Sequence, residues 1–212
     1  MTGLGVDRGP FVAAVAVAIA VVIVFSCGGP GISLCRIEDK WISVLSYPFS
    51  HTGLDHLIVN LISLGLVSAI AVELGMSWKR FLAVLLSAGW LSAIPFVLAF
   101  PNATFMGLSG GICGVFGVEL IGMRKYRLPT LQIFLIFVVS MGLSAGIESA
   151  YASQLSTVLQ LSVHLFALSI GACMGKATLG WQPVQSRPNL FQGRSNPARL
   201  NASHRKVHQE LF

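Results

Sequence analysis

Three groups of polar residues stand inside otherwise apolar stretches of this 212-residue chain. Gly107-Leu108-Ser109-Gly110-Gly111 sets one hydroxyl between glycines at what reads as the mouth of a helix. Leu161 to Gly175 carries His164, with Gly171 and Gly175 seven and eleven residues further on, on the same helical face. Phe49 to Asn60 carries His51, His56 and Asn60, the last two four residues apart and again on one face. A serine beside an imidazole makes a nucleophile and its base, and imidazole and carboxamide donors close by suit a developing oxyanion. Plainer readings stand next to these. Ser109 has the place of a helix N-cap, a very frequent role for serine, and His51, His56 and Asn60 could tie a loop to a bundle by interhelical hydrogen bonds.

The elements that must position these groups are membrane helices. The chain is 54% hydrophobic and only 10% charged, whereas a water-soluble surface is about a quarter or more Lys, Arg, Glu and Asp. Apolar runs near 10–28, 53–74, 80–100, 108–123, 129–147 and 157–179 are read as spanning helices, because backbone polar groups in hydrocarbon must be satisfied within their own segment. The expected fold is an all-α membrane protein, a six-transmembrane-helix bundle over residues 1–180 followed by a flexible basic tail over 181–212. Thr52 and Asp55 have the spacing of a capping box, which starts the second helix near Gly53. The fourth run is short, about 24 Å of helix against roughly 30 Å of hydrocarbon, so its outer end, with Ser109, is recessed. Counted from an outer end near Thr157, His164 lies about 10 Å deep, at a matching level. Gly110, Gly114 and Gly117 repeat along one face. If they pack on Gly171 and Gly175, the imidazole reaches the hydroxyl.

The basic residues report topology. Arg8, Lys79, Arg80, Arg124, Lys125, Arg127, Lys176 and the tail fall on one side, while Arg36 and Lys40 on the other are offset by Glu38 and Asp39. This places both N- and C-termini in the cytoplasm and accounts for the net charge of +6 without a nucleic-acid partner. Four cysteines in no metal-ligand spacing imply no metal, and no cofactor is expected. Cys27 and Cys35 share an outward loop, where either a disulfide or two free thiols fit. The run Phe11–Phe25 has the length of an export signal, but a single basic residue balanced by Asp7 favours a retained first helix. Glu119 and Glu148 are expected as interhelical hydrogen-bond partners. A transporter would show matched broken helices in its two halves, and the serine- and histidine-bearing runs have no counterparts in the first half.

From about Trp41 to Gly175 the sequence resembles the rhomboid family of intramembrane serine proteases, through His51, His56-Leu57 and Asn60, through Gly107-Leu108-Ser109-Gly110 with Gly114, and through His164 with Gly171. The resemblance implies a Ser109–His164 dyad with no third carboxylate, and an oxyanion hole from His56, Asn60 and the Ser109 backbone N–H. His51, Gly107, Gly110, Gly114 and Gly171 would support that site. It also implies that Trp41 begins a lipid-embedded outward loop, and that Glu73 and Gly75 belong to a motif closing the second helix. The protein would then be a monomer in the plasma membrane, embedded in the lipid bilayer, cleaving transmembrane segments of other membrane proteins. The alternative is a weak or inactive member of the family that binds transmembrane helices. Two positions depart from the pattern. Cys113 stands where many members carry an aromatic ring against the catalytic imidazole, which leaves Phe116 or Phe166 to support it. Ala167 replaces a frequent glycine and adds one methyl at the seam.

Overall fold

The computed structural model describes residues 7–27, 46–51, 53–100, 106–125, 131–135, 137–139 and 154–177. Every regular element among them is helical: α1 (Gly9–Ser26), a 3-10 turn (Tyr47–Phe49), α2 (Leu54–Glu73), α3 (Trp78–Ala99), α4 (Ser109–Lys125), α5 (131–135 and 137–139) and α6 (Gln154–Ala177). Among the described residues four stretches are long and apolar enough to cross a membrane: α1, α2, α3 and Thr157–Ala177 of α6. At 17 residues, α4 is about 25 Å long and falls short of that length. The tail, Cys35, Trp41, Thr52 and Glu148 lie outside the described residues.

Local chemistry sets most of the ends. Pro10 opens α1 from the first turn, where its missing N–H costs nothing, and the preceding Gly9 N–H donates to Asp7 Oδ1 at 2.8 Å. The Ser77 hydroxyl caps α3 by accepting from the Arg80 N–H at 3.4 Å. The end of α2 reverses at Gly75, whose φ of 67° suits glycine. Its N–H donates to Val72 O at 3.0 Å and that of Met76 to Ala71 O at 2.9 Å, the paired bonds of a Schellman closure. α2 starts where expected. Its N-cap residue is Gly53, with no side-chain cap bond, and Asp55 is an acidic residue of the first turn that complements the helix dipole; Thr52, the other half of the expected capping box, lies outside the described residues. The start of α6 differs, lying at Gln154, one turn earlier than expected.

The bundle is apolar inside and out. Val12, Ile62, Leu98 and Leu131 are all more than 60% exposed, a distribution that suits lipid rather than water. The centre is α4, with Ile112, Cys113, Val115, Phe116, Val118, Glu119 and Met123 all buried, as is Leu108 just before it. An all-helical bundle faced in this way is an integral membrane protein. Glu119 corrects one expectation: both carboxylate oxygens are buried, and neither has a hydrogen-bond partner among the described residues.

Candidate active site

Ser109 is the first residue of α4 and His164 lies in the middle of α6. The Ser109 Oγ and His164 Nε2 are 2.7 Å apart, the hydrogen-bond reach that a serine nucleophile and its base require. Glycine makes that distance possible. A Cβ on Gly171 would strike the Gly114 carbonyl, one on Gly117 the Leu168 carbonyl, and one on Gly175 would come within 3.2 Å of Val118 Cα. The backbones of α4 and α6 therefore touch directly below the serine. The seam read from the sequence divides, however. Gly110 faces α3, where an added Cβ would sit 3.2 Å from Ser92 Oγ and 3.7 Å from Gly89 Cα, and Gly111 abuts the Leu85 carbonyl. Gly114 serves both neighbours, with Ala88 of α3 on one side and the Ala167 carbonyl of α6 at 3.6 Å on the other. Ala167 is fully buried there, its methyl accommodated.

The approach to Ser109 is equally confined. Gly107 has φ of 97°, a conformation that side chains oppose. A Cβ there would lie 2.9 Å from His56 Cε1 and Nε2 and 3.3 Å from Asn60 Nδ2. The His56 ring and the Asn60 amide thus lie against the chain two residues before the serine. Both are buried, and Asn60 Nδ2 donates to the His56 carbonyl at 3.0 Å, which fixes its rotamer and leaves its second N–H to point elsewhere. The first N–H groups of α4 add the free donors and positive dipole end of a helix N-terminus. The pieces that sequence places far apart, Ser109 with His164 and Gly107 with His56 and Asn60, are in contact.

His51 stands behind this group. Its ring meets that of His56 edge to face, with centroids 5.1 Å apart, and its Nδ1 lies 3.3 Å from Phe49 O. Burial first, and the neighbouring His56 second, lower its pKa to about 4, against a smaller opposing effect of the Phe49 carbonyl. The ring is therefore neutral at pH 7, with Nδ1–H donating to Phe49 O and Nε2 buried without a partner among the described residues. The two rings suggested by sequence as support for His164 each pack on another phenylalanine. Phe116 stacks on Phe137 at 3.9 Å, and Phe166 packs edge-on against Phe96 at 6.3 Å. Cys113 itself is buried.

Sequence reasoning missed Tyr47. Its carbonyl accepts from the Gly107 N–H at 3.1 Å and the Ser50 N–H at 3.2 Å, and its hydroxyl donates to Gly89 O of α3. Pro48 marks the turn, but nothing in spacing or composition marks the tyrosine, because its partners are distant in sequence.

Comparison with the curated proteins found no match. The Rhomboid domain family model matches residues 38–181, about two thirds of the chain. Because that stretch runs through every helix from α2 to α6 and takes in each residue of the site, the chain belongs to the rhomboid family, known for membrane-embedded serine proteases.

Proposed function

We propose that the protein is an intramembrane serine endopeptidase. The observation that carries this reading is the 2.7 Å contact between Ser109 Oγ and His164 Nε2, made inside a membrane bundle and beside a cluster of hydrogen-bond donors. His164 accepts the hydroxyl proton as Ser109 Oγ attacks a peptide carbonyl of a substrate transmembrane segment. The His56 ring, the Asn60 amide and the Ser109 backbone N–H receive the oxyanion, each such donor contributing on the order of 3 kcal/mol to the transition state. His164 returns the proton to the leaving amine, then deprotonates the water that frees the acyl group. The short α4 supports a recessed serine and a water-filled depression above it. We further infer six spans with both termini in the cytoplasm, a monomer in the plasma membrane, and single-span membrane proteins as substrates.

Labelling of the detergent-purified protein with a serine-reactive fluorophosphonate tests the reading. Wild type should label, while Ser109→Ala and His164→Ala should not. A folded wild type that stays unlabelled beside an active control would refute catalysis and leave helix binding as the function.

A further inference from the structure

Tyr47 joins three elements that flank the serine. Its backbone carbonyl holds the Gly107 N–H at 3.1 Å, two residues before Ser109, and its hydroxyl donates to Gly89 O on α3. Gly89 also faces the residues just after Ser109: a Cβ on it would lie 3.5 Å from Gly111 N, and its Cα is 3.7 Å from the Cβ position of Gly110. Both flanks of the nucleophile are therefore referenced to the same point of α3, one directly and one through Tyr47. The 3-10 turn that begins at Tyr47 ends at Phe49, whose carbonyl lies 3.3 Å from His51 Nδ1, and the His51 ring abuts His56. Moving the turn moves Gly107 and the ring that backs His56 together.

The hydroxyl is not needed to satisfy Gly89. That carbonyl already accepts from Ser92 Oγ at 2.8 Å. Burial pushes the phenol above its usual range, so it stays a donor, and a donor with no duty to α3 is free to locate the turn. We propose that Tyr47 is a positioning residue for the oxyanion site, its hydroxyl fixing on α3 the turn that sets Gly107 and, through His51, His56. The inference rests on the hydrolase reading given above.

Tyr47→Phe and Ser92→Ala each delete one hydrogen bond onto Gly89 O, and only the first touches the turn. In fluorophosphonate labelling, Tyr47→Phe should lower the maximal rate about tenfold with little change in half-saturating probe, a fraction of what losing a whole donor costs, while Ser92→Ala stays within about twofold of wild type. Hydrogen–deuterium exchange should show faster exchange at residues 106–108 in Tyr47→Phe alone, with α4 and α6 unchanged. Equal losses in both variants, a wild-type rate in Tyr47→Phe, or faster exchange throughout the bundle would overturn the proposal. So would failure of Tyr47→Phe to fold, since a positioning bond does not decide folding. An unlabelled wild type would sink the hydrolase reading instead, and the exchange measurement would still report whether Tyr47 holds Gly107.

Discussion

Gly171→Ala is the severest test of how the dyad is held. A Cβ at this position strikes the Gly114 carbonyl and stands 2.7 Å from Gly114 C and 2.9 Å from its Cα. All three atoms are backbone of the buried central helix, so no rotamer change relieves the clash. Carbon atoms settle at about 3.5–4.0 Å, which requires α6 to back away by about 1 Å. His164 lies two turns away on the same face of α6, so a rigid shift carries its Nε2 from 2.7 Å to about 3.7 Å from Ser109 Oγ, outside hydrogen-bond range. A misplacement of that size costs about 10²-fold in rate, and the overpacking about 1–3 kcal/mol of stability. The assay is the fluorophosphonate labelling rate well below the melting temperature, with two companions. At Gly175 the neighbours stand at 3.2–3.3 Å and include the Ile121 side chain, which can yield; at Gly65 there is nothing within 4 Å. Labelling should fall steeply in Gly171→Ala, slightly in Gly175→Ala and not at all in Gly65→Ala. A folded Gly171→Ala protein that labels within about threefold of wild type would refute the idea that glycine contact sets the Ser109–His164 distance, since about 1 Å should cost far more.

Three further outcomes follow from the geometry. Gly107→Ala combines an opposed φ of 97° with a Cβ 2.9 Å from the His56 ring, and should reduce cleavage of a transmembrane reporter by on the order of 10²; an active Gly107→Ala enzyme would remove His56 from the oxyanion site. His51 is held at about 4 in the fold against an ordinary value near 6.5, so the folded state binds fewer protons between those values. Its contribution to stability is complete above about pH 6.5, shrinks as pH falls and is lost below about 4; melting temperatures of wild type and His51→Asn should converge over that range, and parallel curves would contradict it. Glu119→Met removes a carboxyl with no partner for either oxygen among the described residues and should stabilise the protein by about 1–3 kcal/mol, read by thermal unfolding in one detergent; a fall would reveal a partner for that carboxyl.

What the sequence made legible was local or periodic. Apolar runs located the helices because lipid imposes one length and one backbone solution on all of them. The glycines of α4 and α6 pointed to a close approach, and the matched levels of a serine and a histidine pointed to their meeting. Which glycine faces which neighbour was not legible: Gly110 and Gly114 lie on one stripe, yet three helices converge there, and Gly110 goes to α3. The partners of the aromatic rings were not legible for a similar reason: Phe116 stacks on Phe137 and Phe166 packs on Phe96, each partner far off in sequence or on another helix. Tyr47 was invisible because its bonds reach Gly89 and Gly107, and a tyrosine in a loop before a membrane helix has the bland look of an interfacial side chain.

The brevity of α4 bears on how the protein is made. Four other helices are each long and apolar enough to enter the bilayer on their own, whereas α4 has 17 residues, carries Glu119 and ends in Arg124 and Lys125. Membrane helices partition first and associate afterwards, so this helix is seated by docking its Gly110–Gly111 edge on an α3 already in place. Its other side stays uncovered until α6, which leaves the ribosome after it, supplies Gly171 and His164. Every unfinished chain therefore carries a serine without its base, and whatever chemistry the pair performs is withheld from the membrane until synthesis of the bundle is complete.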